Sequence, residues 1–422
     1  LGLHECLRNE GGISGPERRK LSIKEDLAAE LSRERYALSS LLEFARTLTP
    51  DLGPHGIIRS VLRTAMGKSL IKEAFAYIEI SNQTGEEFEL AARAGFADEV
   101  LPDKLDRRGY EKLINETGHR YTAVPLVSSD GSGYLGMLGL GPSINPLLSL
   151  DTEATYLASL AALTSIALTN AWLFEREKER ERLESELRLA RDIQQSLLPQ
   201  RFPRMKGIEF AAFSKPSEWV GGDYYDVIEL DNHRVLLAIA DVVGKGVTAA
   251  LTMSNLQAAL RALVSLLRVG HYSLVDVVSE LNRLMCESTS PERFITAVFG
   301  ILDSTTGRLD SVVCGHPNPM ISRPGKKVIT VESSGIPLGI VNGFKYQLCT
   351  DHLDRGSLLV FYTDGLSEAM YSGKSLGEQG TAELVAAVAN GDGSLDESLH
   401  HAMQDSAISI EDDVTVLAVQ LN

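Results

Sequence analysis

The sequence predicts an α+β protein in three parts, and three observations predict it. Strand-length apolar runs, broken by turn residues and bracketed by helical periodicity, occupy residues 50–174. A dense mixed-charge run over 175–192, within a connector at 175–199, has helical propensity. From residue 200 to the end, two uninterrupted apolar runs, VLLAIA and LLVFYT, each lead into an aspartate, as buried strands of a sheet covered on both faces do.

Composition sets the outer limits. With 422 residues, 44% hydrophobic and 23% charged, the chain has the balance of two or three globular domains, which excludes collagen, a disordered polymer and a disulfide-stapled mini-protein. Forty-one Lys+Arg against 57 Asp+Glu give a net charge of -16, which repels a phosphate backbone, so nucleic acid is not an expected partner. Cys6, Cys286, Cys314 and Cys349 form no CxxC pair and no ligand spacing with histidine, so neither zinc nor a disulfide framework is expected, and a cytoplasmic location fits. Tyr156 to Phe174 carries no charge over 19 residues. It holds Ser159, Thr164, Ser165, Thr169 and Asn170, is rich in alanine and runs into a charged helix, so we read a buried domain helix and expect no membrane partner. No signal peptide precedes the first helix, and because residue 1 is Leu rather than Met we expect a longer parent chain.

In chain order, residues 1–21 are polar and expected to be loose. Ser22 and Glu25 have capping-box spacing, and Leu27, Leu31, Leu38, Leu41, Ala45 and Leu48 continue a helix over 22–49 that Pro50 and Pro54 stop. A short helix at 56–69 precedes strands at Phe75 to Ser81, Phe88 to Ala94, Tyr121 to Val127 and Tyr134 to Leu140, with turn signals at Gln83-Thr84-Gly85 and Ser129-Asp130-Gly131. A helix from Leu150 closes a compact α+β module. Gly133, Gly136, Gly139 and Gly141 lack dinucleotide or phosphate-loop spacing, which leaves them turn and packing roles. The run YLGMLGLG after Val124-Pro125-Leu126, together with the helix LAALTSIALTNAWLFE, resembles a GAF sensory domain over residues 40–175. The resemblance implies a regulatory ligand or signalling partner that the sequence does not identify. The NKFDE signature is absent, and no cysteine or histidine is placed for a chromophore or haem.

In the connector, three-four stepping runs through Ile166, Thr169, Leu173, Arg176, Arg180, Leu183, Leu187, Ala190, Gln194 and Leu197. A solvated single helix and a parallel two-stranded coiled coil both remain open; the second predicts a homodimer. In it, Arg176 and Arg180 would face their symmetry mates and keep the pairing marginal, so that Arg176→Leu with Arg180→Leu would lock one activity state.

The chemistry lies in residues 201–422, where 17 Lys+Arg stand against 27 Asp+Glu. Four acidic motifs lie far apart: GGDYYD (221–226), ADVVGKG (240–246), TDGLSE (363–368) and EDDVTV (411–416). A carboxylate at the end of a buried strand is costly without a counter-charge. Two such aspartates, Asp241 and Asp364, each before a glycine-bearing turn, are more economically explained by a shared cation than by independent turns. Hard oxygen donors favour Mg2+ or Mn2+, and crowded carboxylates call for two ions. Such a pair can activate a bridging water and aim it at phosphorus.

The ordered motifs GGDYYD, DVVGKG, CGHPNP, GIPLGI, TDGLSEA and DDVTVL, entered through DIQQSLLP, are similar to those of the stage II sporulation protein E and RsbU type of PPM serine/threonine phosphatase, over residues 190–422. The resemblance implies an α-β-β-α sandwich with a dinuclear Mn2+ or Mg2+ site. It places Asp241 as the bridging carboxylate, Val242 as a carbonyl donor, Asp223 on the first metal through water, and Asp364 and Asp412 on the second. Asp413 falls where Asn is common and reads as a structural neighbour. Glu368 is either a ligand of a third metal or a solvated helix-start carboxylate, and Asp226 is read in the same way. Val243 stands where eukaryotic-type members carry a histidine that protonates the leaving alcohol; His316 reads as a turn residue; no arginine stands at the usual phosphate clamp. The helix over 247–267 is expected to relay connector movement to Asp241. The resemblance also implies the substrate, a phosphorylated STAS-domain anti-anti-sigma protein. GGDYYD shares only its first three letters with the GGDEF loop of diguanylate cyclases and is not read as one. A degenerate phosphatase serving as a binding module remains the alternative, although all four principal aspartates are present.

Overall fold

In the computed structural model, the described residues are 15–49, 52–80, 87–95, 101–116, 121–128, 133–144, 150–290, 292–371, 373–404 and 408–422. They form two compact units, one ending at Arg182 and one running from Leu183 to Asn422.

The first unit opens with α1 (Gly15–Thr47), which starts seven residues before the expected Ser22. Pro16 is tolerated in a first turn, and ERRKLSIKED offers no breaker, so Ser22 lies inside the helix rather than capping it. Residues 1–14 of the expected loose segment lie outside the described residues. There follow α2 (Gly53–Ser69), β1 (Ala74–Glu79), β2 (Glu87–Ala94), β3 (Lys104–Asp106), α3 (Arg107–Glu116), β4 (Thr122–Val127), β5 (Tyr134–Leu140) and α4 (Leu150–Leu197). The strands make one antiparallel sheet in the order β3-β2-β1-β5-β4. Four strands fall where the strand-length apolar runs placed them. The segment containing β3 and α3 was not expected from the sequence; Tyr110, Leu113 and Ile114 have helical spacing but span little more than one turn. Both expected turn signals, at 83–85 and 129–131, lie outside the described residues. One sheet face packs Ile58, Val61, Leu62 and Ala65 of α2 against Tyr156, Leu160 and Leu168 of α4. The other packs Phe75, Tyr77, Phe88, Tyr110 and Met137.

The expected connector is the C-terminal part of α4 rather than a separate element. Ile166, Leu173 and Leu183 are exposed, as are Arg176 and Arg180, the latter paired with Glu177 at 2.7 Å.

The second unit contains β6 (Ile208–Lys215), β7 (Tyr224–Glu229), β8 (Arg234–Val242), α5 (Gly246–Val269), α6 (Leu274–Ser288), β9 (Ile295–Asp303), β10 (Arg308–Cys314), β11 (Met320–Ser322), β12 (Ile329–Thr330), β13 (Cys349–His352), β14 (Ser357–Tyr362), α7 (Asp364–Glu368), β15 (Met370–Tyr371), β16 (Lys374–Ser375), α8 (Gly377–Ala389), α9 (Leu395–Met403), β17 (Ile408–Ser409) and β18 (Val414–Leu421). Two five-stranded sheets, β13-β10-β9-β8-β7 and β12-β11-β14-β18-β6, stack face to face, and β16-β15-β17 form a small third sheet. Between the large sheets lie Val235, Leu237, Ile239, Leu359, Phe361, Leu417 and Val419. Their alternates face outward: Leu236, Ala238 and Ala240 meet Met253, Leu256 and Leu260 of α5 and Leu281 of α6, while Leu358, Val360 and Val416 meet Val385 of α8 and Leu399 of α9. Helices therefore cover both outer faces in α-β-β-α layers, and each fully buried side chain contributes about 1.5–3 kcal/mol. Glu153–Leu197 and Gly246–Val269 are long and apolar enough to cross a membrane by length and composition alone. Of these, α5 spends its apolar face on the core just described.

Candidate metal centre

Strand parity gathers the acidic motifs. In β8 the even residues face α5 and the odd ones face the other sheet, so Asp241 continues the inward row at the strand end. In β14 and β18 the inward residues are also odd, which puts Thr363, Asp413 and Thr415 at the same end of the layer. Asp223 enters from the residue before β7 and is 8% exposed.

Neutral donors hold this end together. Thr363 Oγ1 donates to Asp223 Oδ2 at 3.0 Å and accepts from the Thr415 N–H at 2.9 Å. Asp413 Oδ1 accepts from the Ser217 N–H at 2.7 Å and its Oγ at 2.8 Å, while Oδ2 accepts from the Gly222 N–H at 2.8 Å. The Gln194 amide brackets Gly221, donating to its carbonyl at 2.6 Å and accepting from its N–H at 3.2 Å. Gly222 lies so close to β8 that a Cβ would stand 2.7 Å from the Val242 carbonyl oxygen and 3.2 Å from Asp241 Oδ1. The glycine pair thus lets the Asp223 loop lie against both Asp241 and that carbonyl.

Negative charge is left in excess. Burial, then the Asp241 charge, pushes the Asp223 carboxyl well above the usual range, against the lowering effect of the threonine hydroxyls. Asp241 is pushed up to about 7 by burial and by Asp364, Asp413 and Asp412, and Asp364 is raised by burial and Asp412. Buried Asp223 Oδ1 has no hydrogen-bond partner. Asp412 forms a 2.8 Å ion pair with Lys245 and accepts the Asp413 N–H at 2.8 Å. Among the described residues, no three carboxylate, thiol or imidazole groups are drawn tightly enough together to hold an ion as they stand. Like charges without a shared counter-ion keep such a cluster open. An orphaned buried oxygen facing mutually repelling hard donors nevertheless fits a divalent cation, and Asp223, Asp241, the Val242 carbonyl, Asp364 and Asp412 are the groups that would hold it.

The remaining sequence candidates separate. Asp226 is corrected: it is fully buried and its lone pairs are taken, by Arg261 Nε at 2.9 Å and Nη2 at 3.0 Å, the Tyr224 hydroxyl at 2.7 Å and the Val227 N–H at 2.9 Å. Its even position sends it to the α5 face, and nothing is left to offer a metal. Glu368 is exposed at the end of α7, and Val243 is exposed beyond β8. His316 is buried, its pKa pushed down to about 3 by burial, and its Nδ1 pairs with Thr296 Oγ1 at 2.7 Å, so it is a neutral support of the β8–β9 end. Sequence reasoning missed Gln194, Ser217, Thr363, Thr415 and Arg261 as partners. Only their positions in or beside the acidic motifs and DIQQSLLP signalled the first four; Arg261, on the periodic helix α5, gave no signal.

A two-sheet sandwich flanked by helices, with acidic strand ends meeting at one edge, defines the metal-dependent PPM phosphatase class of fold. The SiaA-PP2C domain of Pseudomonas aeruginosa shares it, with a TM-score of 0.50 at 20% identity, covering 58% of this chain and 99% of that one. Residues 231–422 match the family model of stage II sporulation protein E. Phosphoserine phosphatase RsbU of Bacillus subtilis is 30% identical over 187 residues, 44% of this chain and 54% of that protein. Protein IcfG of Synechocystis is 28% identical over 266 residues, 56% of this chain and 42% of that protein. The chain thus spans about half the length of these curated relatives, and residues 231–422 are similar to the SpoIIE type of phosphatase domain.

Proposed function

We propose that this chain is a metal-dependent protein phosphatase that hydrolyses phosphoserine or phosphothreonine. One observation carries the reading: buried Asp223 beside partly buried Asp241, with an orphaned oxygen and no neutralising cation of their own, in a domain similar to the SpoIIE type. Two Mn2+ or Mg2+ ions bound there would supply the Lewis acidity and the activated water that attack on phosphorus requires. Asp241 is assigned to both ions, the Val242 carbonyl and Asp223 to the first, Asp364 and Asp412 to the second, and Glu368 to a weaker third. Asp413, Thr363 and Gln194 hold the Asp223 loop in place. With Val243 exposed and His316 neutral and buried, neither is offered as the group that protonates the leaving alcohol.

The finer proposal is a bacterial, cytoplasmic regulator of sigma-factor signalling that acts on a phosphorylated STAS-domain protein. Its support is the family and a relative, RsbU, named a phosphoserine phosphatase. The first unit is proposed as a GAF-type sensor, supported by its five-stranded antiparallel sheet backed by helices. Homodimerisation through α4 is proposed from its exposed Ile166, Leu173 and Leu183. A second reading, a weak or inactive binding module, is favoured by the open cluster and by Lys245 on Asp412. Manganese-dependent phosphate release from a phosphorylated STAS protein decides between them. The phosphatase reading expects release by the intact chain and none by Asp241→Asn. Equal release by both refutes the site, and no release by either supports the binding module.

A further inference from the structure

We propose that Lys245 is a further substrate-binding residue, one that exchanges its ion pair with Asp412 for the phosphoryl group of the phosphoprotein. The inference rests on the phosphatase reading above. Asp223, Asp241, Asp364, Asp412 and Asp413 lie at one end of the sandwich, and among the described residues Lys245 is the one cation with an ion pair to any of them, Nζ to Asp412 Oδ1 at 2.8 Å. Asp412, Asp413 and Glu218 together favour its charged form.

Its place suits exchange. Lys245 stands between two glycines whose left-handed angles, φ 99° at Gly244 and 73° at Gly246, fold the tight turn from Asp241 into α5. Lys245 itself is extended, at φ -130°, and its side chain is 46% exposed. A long, mobile stem beside the site can redirect the ammonium group at little cost. A divalent ion held by Asp412 would repel that ammonium from the same carboxylate. The anion that then arrives is a phosphoryl group with about two negative charges. Lys245, already ion-paired at this end of the sandwich and half-exposed, is placed to meet it.

The test compares the full chain with Lys245→Met and Lys245→Arg by Mn2+ calorimetry without substrate, inhibition by inorganic phosphate, and turnover. In Lys245→Met, removing the competitor should tighten Mn2+ binding about threefold or more, while loss of one charge-assisted contact should weaken phosphate inhibition and lower kcat/KM roughly tenfold. Lys245→Arg should retain most phosphate inhibition, because a cation is still supplied. An unchanged Mn2+ affinity or an unchanged phosphate inhibition constant in Lys245→Met overturns the exchange. If the parent chain hydrolyses no phosphoprotein, the phosphatase reading fails, and calorimetric titration with Mn2+ and then with inorganic phosphate decides the role of Lys245 without turnover.

Discussion

Asp223 and Asp226 lie three residues apart in GGDYYD, and both are buried, yet the fold treats them in opposite ways. An odd separation on an extended chain sends them to opposite faces. Asp226 points toward α5, where Arg261 and Tyr224 satisfy it. Asp223 points between the sheets, where its near neighbours are other carboxylates and one oxygen has no partner. A buried charge neutralised from within is a structural joint; one that is not neutralised awaits a cation from outside.

The strongest way to break this contrast is Asp241→Asn, which should lower metal-dependent hydrolysis about a thousandfold or more if the cluster is the catalytic centre; phosphate release under saturating Mn2+ is the measurement. On the other face, Asp226→Ala leaves the buried Tyr224 hydroxyl without its acceptor while the half-exposed Arg261 can turn to water, and should cost about 1–3 kcal/mol of stability. Denaturant melts would read that loss, and Mn2+ affinity should stay within about twofold because Asp226 is outside the metal centre.

A pH series sharpens the contrast further. The folded Asp241 pKa is raised, to about 7 from 3.8, so its favourable contribution is full below about 4 and is lost as pH rises through 7. With chelator present, stability should therefore fall toward neutral pH by at most about 1.4 kcal/mol per unit, the limit for one proton. His316, held neutral with its pKa down at about 3, has the opposite sign: its contribution is lost as pH falls below about 6.5. The difference between the parent chain and Asp241→Asn isolates the carboxylate, and saturating Mn2+ should flatten it. The smallest effect is expected at Asp413→Asn: an amide keeps one acceptor for the Ser217 and Gly222 donors, so Mn2+ affinity should fall less than about threefold, whereas Asp412→Asn should lower it at least tenfold. Comparable losses in the two variants would erase the distinction between brace and ligand.

Strong local signals were legible in the sequence. Uninterrupted apolar runs placed β8 and β14, strand-length runs between turn signals placed β1, β2, β4 and β5, and the acidic motifs singled out Asp223, Asp241, Asp364 and Asp412. Weak local signals failed. Within Lys104–Glu116, Tyr110, Leu113 and Ile114 have helical spacing but span little more than one turn, and Ser22 looked like a cap only because the helix-forming run before it was read as loose.

The sequence by itself determined the α+β class, because strand-length apolar runs and the helical period of 3.6 follow from backbone geometry, and it determined the kind of chemistry, because carboxylates at buried strand ends demand compensation; the α-β-β-α layering was implied by the resemblance. Only the tertiary structure decided which carboxylates remain uncompensated. Arg261 is 35 residues from Asp226, and Thr363 is 140 from Asp223. No local pattern encodes those meetings; the stacking of two sheets and the placement of one helix bring the partners together.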